Sequence, residues 1–187
     1  MSTRIPRLEF DELETELAAA LAPRVERLGY LGEFFKCTAH QPKPLRAFIE
    51  FTESAKGDLA KDLVETVALT LAVFMENDYE RNQHERLSVR LGLGRDWVRE
   101  VEKLAPEESG LSAESKAVQR YCLAALESRG RNAHSEFEAV IDAVGHQNAV
   151  AVMMLMGRYV VHALIVNTLA LAPPVPSIFE DGFEGND

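Results

Sequence analysis

Residues 59–92 read LAKDLVETVALTLAVFMENDYERNQHERLSVRLG, and this stretch decides the fold class. Over residues 59–76 apolar side chains occupy most faces of a helix, which is typical of a helix at the centre of a fold. The dipeptide Asn77-Asp78 interrupts the pattern, and residues 79–91 form a second helical segment that Gly92 closes. We therefore expect the two segments to form an antiparallel hairpin at the core.

Helical patterns also dominate outside this stretch, and no segment of useful length alternates apolar and polar residues with period two. The further helices predicted from these patterns cover residues 13–25, 33–38, 41–54, 93–104, 112–127, 135–144 and 147–171. The sequence thus predicts an all-α fold, a single-domain bundle of about eight helices over residues 1–187. Residues 173–187, which are rich in proline and then in acidic residues, are expected to form a loose C-terminal tail.

The composition is that of one globular domain. The chain has 187 residues, of which 47% are hydrophobic and 27% charged, and this length can bury a full core. Thirty acidic residues against 20 basic ones give a formal net charge of -10. Because such a surface repels nucleic-acid phosphates and acidic membranes, we expect neither partner.

The N-terminus and the cysteines bear on the cellular compartment. Acidic residues precede any apolar run at the N-terminus, unlike in a signal peptide, so we expect a cytoplasmic protein. Cys37 and Cys122 lie far apart and match no zinc-binding or CxxC spacing. We expect two buried, reduced thiols, because intracellular compartments keep thiols reduced, while a disulfide between them stays open as an alternative.

One segment, residues 149–171, is apolar and long enough to be considered as a membrane span. It carries Arg158 near its middle, beside Gly157, and also His162 and Asn167. An arginine at the centre of a span costs about 2.5–3.5 kcal/mol on insertion scales. We therefore interpret the segment as a buried core or interface helix rather than a span.

Three side chains of the central hairpin are candidates for chemistry. Glu65 lies in the most apolar segment, where an unpaired carboxylate is costly, so it either reaches solvent or faces a partner in a pocket. Asn77 is a suitable N-cap, which puts Glu80 at the position where a capping glutamate is common. His84 follows Glu80 by four residues on the same helical face, so the pair can carry acid–base chemistry. The alternatives to an acid–base role are that Glu80 only caps the helix and that His84 is an ordinary helical histidine.

These residues resemble the carboxymuconolactone decarboxylase and alkylhydroperoxidase D-like superfamily. The similarity rests on Glu65, the break at residues 77–78, the stretch YERNQHE at residues 79–85 and LGL at residues 91–93. It covers residues 30–172. The resemblance implies a helical fold of the alkylhydroperoxidase D-like type and a homo-oligomer, that is, a dimer, trimer or hexamer.

One departure from the family pattern decides the expected chemistry. In the peroxidase branch a CxxC pair lies between the glutamate and the histidine, and its two positions fall here on Asn77 and Glu80. Neither side chain can form a sulfenic acid or a disulfide, and Cys37 and Cys122 lie elsewhere. What remains is a set suited to proton transfer, as in the decarboxylase branch, which uses no redox cysteine.

We therefore expect a cofactor-independent lyase, isomerase or hydrolase acting on a small organic acid, without a cofactor or a metal. His84 is the expected acid–base residue, oriented by Glu80, with Glu65 as a second proton carrier. The expected substrate-binding residues are Asn77, Tyr79 and Arg158.

Two neighbouring residues of the last helix have open roles. Arg158 either pairs with a buried carboxylate such as Glu65 or binds an acidic substrate. His162 is interpreted as a core histidine bonded to a backbone carbonyl.

Two other functions stay open. One is an alkylhydroperoxidase or peroxiredoxin-type activity that recruits Cys37 or Cys122. The other is a non-catalytic oligomeric scaffold, whose signature would be a closed Glu65–His84 salt bridge and no pocket.

Overall fold

The computed structural model describes residues 4–180 and residue 183. In this part of the chain there are eight α-helices, two short 3₁₀ helices (Phe10–Glu12 and Pro106–Glu108) and no strand. This confirms the all-α prediction. The α-helices are α1 Thr15–Leu28, α2 Glu33–Thr38, α3 Pro42–Lys56, α4 Lys61–Phe74, α5 Asp78–Arg90, α6 Arg95–Glu102, α7 Ala113–Ser128 and α8 His134–Leu169.

Helix α4 is the centre of the fold. All ten residues from Leu63 to Ala72 are buried, as the apolar pattern on most of its faces predicts. The main core cluster forms where α4 meets α7 and α8, and includes Val67, Val118 and Leu155. A helix enclosed in this way holds its buried side chains in fixed positions, including Glu65, the single carboxylate among the ten.

Helices α4 and α5 form the expected hairpin across a short turn. Glu76, in the turn after α4, has a left-handed conformation at φ 51°, and Asn77 caps α5 by accepting a hydrogen bond from the Glu80 N–H at 3.2 Å. Glu65 and His84 lie at similar distances in sequence from this turn and are in contact. Only an antiparallel arrangement of the two helices brings such residues together.

Helix α8 continues through a kink. Gly145 has φ 80° and ψ 157°, outside the helical region, and it separates the two segments that the sequence predicts there. By length and composition alone α8 could cross a membrane, although 39% of its most apolar 18-residue window is buried inside the fold. Buried core helices meet the same test, so it is weak evidence for a span.

The C-terminal segment differs from the expected loose tail. Residues 175–179, here called the C-terminal strap, lie against α5. Glu85 Oε2 accepts hydrogen bonds from the Ser177 hydroxyl and the Ile178 N–H, both at 2.7 Å, and Ile178 is fully buried. Arg86 donates twice to the Pro176 carbonyl, at 2.9 and 2.8 Å. The prediction of a loose tail is wrong for the strap, because its partners lie about 90 residues earlier in the chain, beyond the reach of any local pattern. The rest of the predicted tail, residues 181, 182 and 184–187, lies outside the described residues.

Replacement of the buried Glu85 by alanine should release the C-terminal strap. The variant leaves the Ser177 hydroxyl and the Ile178 N–H without an acceptor, so we expect a loss of about 2–3 kcal/mol in the free energy of unfolding. Urea denaturation measures this loss, and limited proteolysis should cut the variant within the strap. Glu138→Ala, at an exposed position of α8, is the matched control. Equal protease resistance in both variants would mean that Glu85 does not anchor the strap.

Candidate active site

The buried pair of Glu65 and His84 joins α4 to α5. His84 Nδ1 lies 2.7 Å from Glu65 Oε2, and the Ser88 hydroxyl donates to the same oxygen at 3.3 Å. Glu65 is 2% exposed, so of the two alternatives that the sequence left open, solvent or a buried partner, the structure has the buried partner. The Tyr159 hydroxyl lies 3.3 Å from His84 Nε2, and the two rings meet edge to face.

A second buried carboxylate, Glu80, lies on the other side of His84. Its Oε1 is 3.6 Å from His84 Nε2 and accepts a hydrogen bond from Arg158 Nη1 at 2.5 Å. Arg158 also donates to Thr52 Oγ1 at 3.3 Å. The buried carboxylate that pairs with Arg158 is therefore Glu80 and not Glu65, the example expected from the sequence.

His162 also belongs to this cluster, although the sequence does not predict it as a site residue. Its Nε2 lies 3.3 Å from Glu80 Oε2, and its Nδ1 lies 3.4 Å from the Asn77 amide nitrogen. Because Asn77 Oδ1 already accepts from the Glu80 N–H, its NH₂ group faces His162 and donates to it. The expected bond to a backbone carbonyl is thus wrong, since His162 instead holds the second oxygen of Glu80. The spacing of four residues from Arg158 was the available signal, because it places both side chains on one face of α8.

The protonation states follow from burial and neighbouring charge. Burial alone would lower the pKa of His84, but Glu65 and Glu80 outweigh it and raise the pKa to about 9. Burial is the largest influence on His162 and lowers its pKa to about 4, against the opposing effect of Glu80. Burial would raise the pKa of Glu80, but His162, Arg158 and His84 hold it well below its ordinary value. At neutral pH the cluster therefore contains an imidazolium at position 84, a neutral imidazole at 162 and a carboxylate at 80.

A cavity of about 300 Å³ opens next to this cluster. Its buried lining includes Tyr79, Glu80, His84 and His162. Six lysines and arginines line it (Arg24, Arg27, Lys56, Arg86, Arg90 and Arg158), against two glutamates, Glu53 and Glu80. We call this space the site cavity. It is locally basic in a chain whose net charge is -10.

The predicted site residues are brought together, but they are not equivalent. Glu80, His84, Tyr79 and Arg158 line the site cavity, whereas Glu65 lies behind His84 and Asn77 is not part of the lining. Asn77 caps α5 and contacts His162. Glu65 and Asn77 therefore support the residues that line the cavity.

The Tyr79 hydroxyl is hydrogen-bonded to the backbone of α2. It accepts a hydrogen bond from the Phe34 N–H at 3.3 Å. A Cβ atom at Gly32 would lie only 2.7 Å from this hydroxyl, so the close approach of the two elements requires glycine there. This contact fixes one wall of the site cavity.

Neither cysteine lines the site cavity. Both are free and buried, as expected. Burial raises the pKa of the Cys122 thiol to about 12, and it also raises that of Cys37. Cys37 lies instead on a separate, largely apolar cleft of about 580 Å³, bordered by Ile5, Val161 and Ile165 and here called the apolar cleft. Among the residues that the structure describes, no three His, Cys, Asp or Glu side chains are arranged to hold a metal ion.

Comparison with known proteins identifies the fold. No family model and no curated protein sequence matches the chain. The similar solved structures include a peroxidase-related protein from Ralstonia eutropha with an alkylhydroperoxidase AhpD core (TM-score 0.79, 16% identity, 91% of each chain covered) and a peroxidase-related protein from Silicibacter (0.77, 14%, 93% of this chain and 94% of that one). They also include the debrominase Bmp8 bound to 2,3,4-tribromopyrrole (0.78, 12%, 92% of each).

These similarities extend over nine-tenths of the chain. Because the sequence identities are 12–16%, the similarities establish the fold and not the function. They agree in fold with the resemblance found at residues 65–93. The chain therefore has the fold of the alkylhydroperoxidase D-like superfamily.

Proposed function

We propose that the protein is a cofactor-independent acid–base enzyme, a lyase, isomerase or hydrolase, that acts on a small organic acid. The observation that carries the proposal is the placement of the buried His84 ring between two carboxylates at the edge of a basic cavity, an arrangement that raises its pKa to about 9. A charged donor in a desolvated site can protonate a carbanion, an enolate or a leaving group. His84 is the general acid in this scheme.

In this scheme both glutamates position His84, and Glu65 no longer serves as the second proton carrier expected from the sequence. Glu65, at 2.7 Å from Nδ1, orients the His84 ring and keeps it protonated, while it has no contact with the cavity. Glu80 lines the cavity, but Arg158 and His162 hold both of its oxygens. A carboxylate stabilised in this way is a weak base, so we assign Glu80 to holding His84 Nε2 toward the substrate.

The charge of the lining supports an anionic substrate. Arg27 and Arg90 form no ion pair within the described part of the chain, and both are exposed at the cavity. Arg24, Lys56 and Arg158 already face Glu53 or Glu80. Arg27 and Arg90 are therefore the side chains that we assign to the substrate carboxylate.

The two alternative functions have less support. The scaffold hypothesis predicts a closed Glu65–His84 salt bridge, which is present, but it also predicts no pocket, and the site cavity is present. A peroxidase needs a reactive thiolate, whereas both thiols are buried with raised pKa values and lie outside the cavity. The debrominase shows that one protein of this fold binds a small halogenated ring, which is compatible with small-molecule chemistry here.

Replacement of His84 should abolish turnover without abolishing binding. Ligands are first found by thermal shift with a panel of mono- and dicarboxylic acids, using their methyl esters as uncharged controls, and hits are then tested for conversion by NMR. We expect His84→Gln to lower kcat at least about 100-fold, the usual contribution of a general acid. His146→Gln, at an exposed position of α8, should behave like the wild type. Full activity in His84→Gln would show that His84 is not the acid.

The pKa values of the two histidines of the cluster should lie on opposite sides of the ordinary histidine value. Because the pKa of His84 is raised to about 9, its ring should stay charged at pH 7.5 and lose its proton only near pH 9. The pKa of His162 is lowered to about 4, so this ring should stay neutral at pH 5.5. Long-range ¹H–¹⁵N NMR of the histidine rings measures both charges. Glu65→Gln should lower the pKa of His84, whereas Glu138→Gln should leave it unchanged. A neutral His84 at pH 7.5 in the wild type would contradict the proposed acid.

The thiols should play no part in catalysis. We expect the Cys37→Ser/Cys122→Ser double variant to consume hydrogen peroxide no more slowly than the wild type in a reductant-coupled assay. Each single variant, checked by circular dichroism, controls for loss of folding. Peroxide consumption that is present in the wild type and lost in a folded variant would instead support the peroxidase alternative.

A further inference from the structure

Two acids that face each other join α5 to α6, beside the C-terminal strap. Glu85 of α5 is fully buried, and Glu102 is the last residue of α6. Their carboxyl groups are in hydrogen-bond contact. We call these two residues the acid pair. Neither of them lines the site cavity, so the acid pair has no part in the chemistry proposed for His84.

One oxygen of each acid lacks a conventional partner. Among the described residues, Glu85 Oε1 and Glu102 Oε1 are both buried and neither accepts a hydrogen bond. Folded proteins leave very few buried polar atoms in this state, because each such atom has lost its water without a replacement. Two ionised carboxylates cannot satisfy each other, since both are acceptors only. A single proton, carried by one acid and accepted by the other, satisfies both oxygens.

The surrounding charges also leave the acid pair one cation short. Arg81 and Asp78, both on α5, are the other charged groups that act on Glu102. Arg81 lies 3.3 Å from Glu85 Oε1 through Nε and 3.0 Å from Asp78 Oδ1 through Nη2, so its charge is already shared between two carboxylates. The strap, residues 175–179, contributes no ionisable side chain. A third carboxylate here would be a buried charge without a partner, which is strongly destabilising.

Glu102 is the acid that holds the proton. Glu85 Oε2 accepts hydrogen bonds from the Ser177 hydroxyl and the Ile178 N–H, both at 2.7 Å, and such donors stabilise a carboxylate. Burial, followed by the charge of Glu85, raises the pKa of Glu102 to about 8, against a smaller lowering by Arg81. At neutral pH Glu102 is therefore protonated, and it donates to Glu85.

The acid pair lies next to the anchor of the strap. Ile178 packs in one apolar cluster with Val101 of α6, the residue that precedes Glu102. Three residues before this anchor, Val175 lines the site cavity, and its carbonyl accepts a hydrogen bond from the Asn82 side chain at 2.9 Å. The strap therefore connects the acid pair to the cavity wall over a few residues.

We propose that the proton shared by Glu85 and Glu102 holds the C-terminal strap against α5 and α6, and that its loss releases the strap and opens the cavity wall at Val175. When the Glu102 O–H bond breaks, the proton passes to solvent and two carboxylates face each other beside one shared arginine. Both charges become stable only when water reaches them. Movement of the strap away from Glu85 admits that water.

The direction of the pH effect follows from the two states of Glu102. Its pKa is about 8 while the strap is docked, and it returns to the ordinary 4.5 once the strap is released and the side chain is in water. The docked state thus binds the proton more tightly. Its advantage is complete below pH 4.5, is lost progressively as the pH rises to about 8, and changes no further above that, where Glu102 is ionised in both states.

Hydrogen exchange of the Ile178 N–H measures strap opening even when the open state is rare. Because intrinsic exchange also accelerates with pH, each wild-type rate is divided by the rate of Glu102→Gln at the same pH. The glutamine amide keeps a donor toward Glu85 but has no proton to lose. We expect this ratio to rise about 50-fold between pH 6 and pH 8. Glu108→Gln, at an exposed position, is the matched control and should exchange like the wild type. A ratio that stays constant with pH would overturn the proposal.

A titration of the wild type makes the test independent of the folding of any variant. The ¹³C resonance of the Glu102 carboxyl group should shift with a midpoint near pH 8. A midpoint near pH 4.5 would show that Glu102 is already ionised while the strap is docked, and the shared proton would then not exist.

The Asn82 side-chain amide tests whether strap release reaches the site cavity. It donates to the Val175 carbonyl, so its exchange should accelerate with pH, relative to Glu102→Gln, by the same factor as that of the Ile178 N–H. An Asn82 amide that stays protected while Ile178 opens would limit the release to residues 177–179 and contradict the proposed opening of the cavity wall.

Discussion

The burial of one carboxylate determines how the rest of this fold is arranged. Glu65 is one of ten consecutive buried residues of α4, where an unpaired charge would be strongly destabilising. His84 meets it at 2.7 Å and Ser88 adds a hydrogen bond. This requirement fixes the register of the α4–α5 hairpin, because a shift of α5 by one residue would turn His84 away. The same pairing keeps His84 charged, so a constraint on folding also sets the chemistry of the site.

Helix α5 carries two functions on two faces. One face presents Glu80 and His84 to the site cavity, and the other holds the C-terminal strap through Glu85, while Arg86 both lines the cavity and binds the strap. The first residue of the strap, Val175, is part of the cavity lining. Its carbonyl accepts a hydrogen bond from the Asn82 side chain. The wall of the site is thus completed by residues that follow the last helix, which explains why a segment rich in proline is held in place.

The sequence predicts those features that depend on neighbours along the chain. The helices, the Asn77 cap and the shared face of Glu80 and His84 all arise from spacings of three and four residues, and the structure contains them. The contacts of Arg158 and His162 with Glu80 join residues about 80 positions apart, and no local pattern encodes which carboxylate they meet. The docking of the strap on Glu85 escaped prediction for the same reason, because a proline-rich segment after a final helix looks the same whether it is free or bound.

The contrast between the acidic exterior and the basic site cavity has a kinetic consequence. A net charge of -10 repels an approaching anion at long range, whereas Arg27 and Arg90 attract it where they border the opening. Fields of this kind concentrate the ligand at the entrance and raise its rate of encounter. At physiological ionic strength charges are screened over about 8 Å, so the attraction acts only near the mouth and weakens as salt is added. Added salt would therefore slow the capture of an anion more than it would change the chemistry around the desolvated His84.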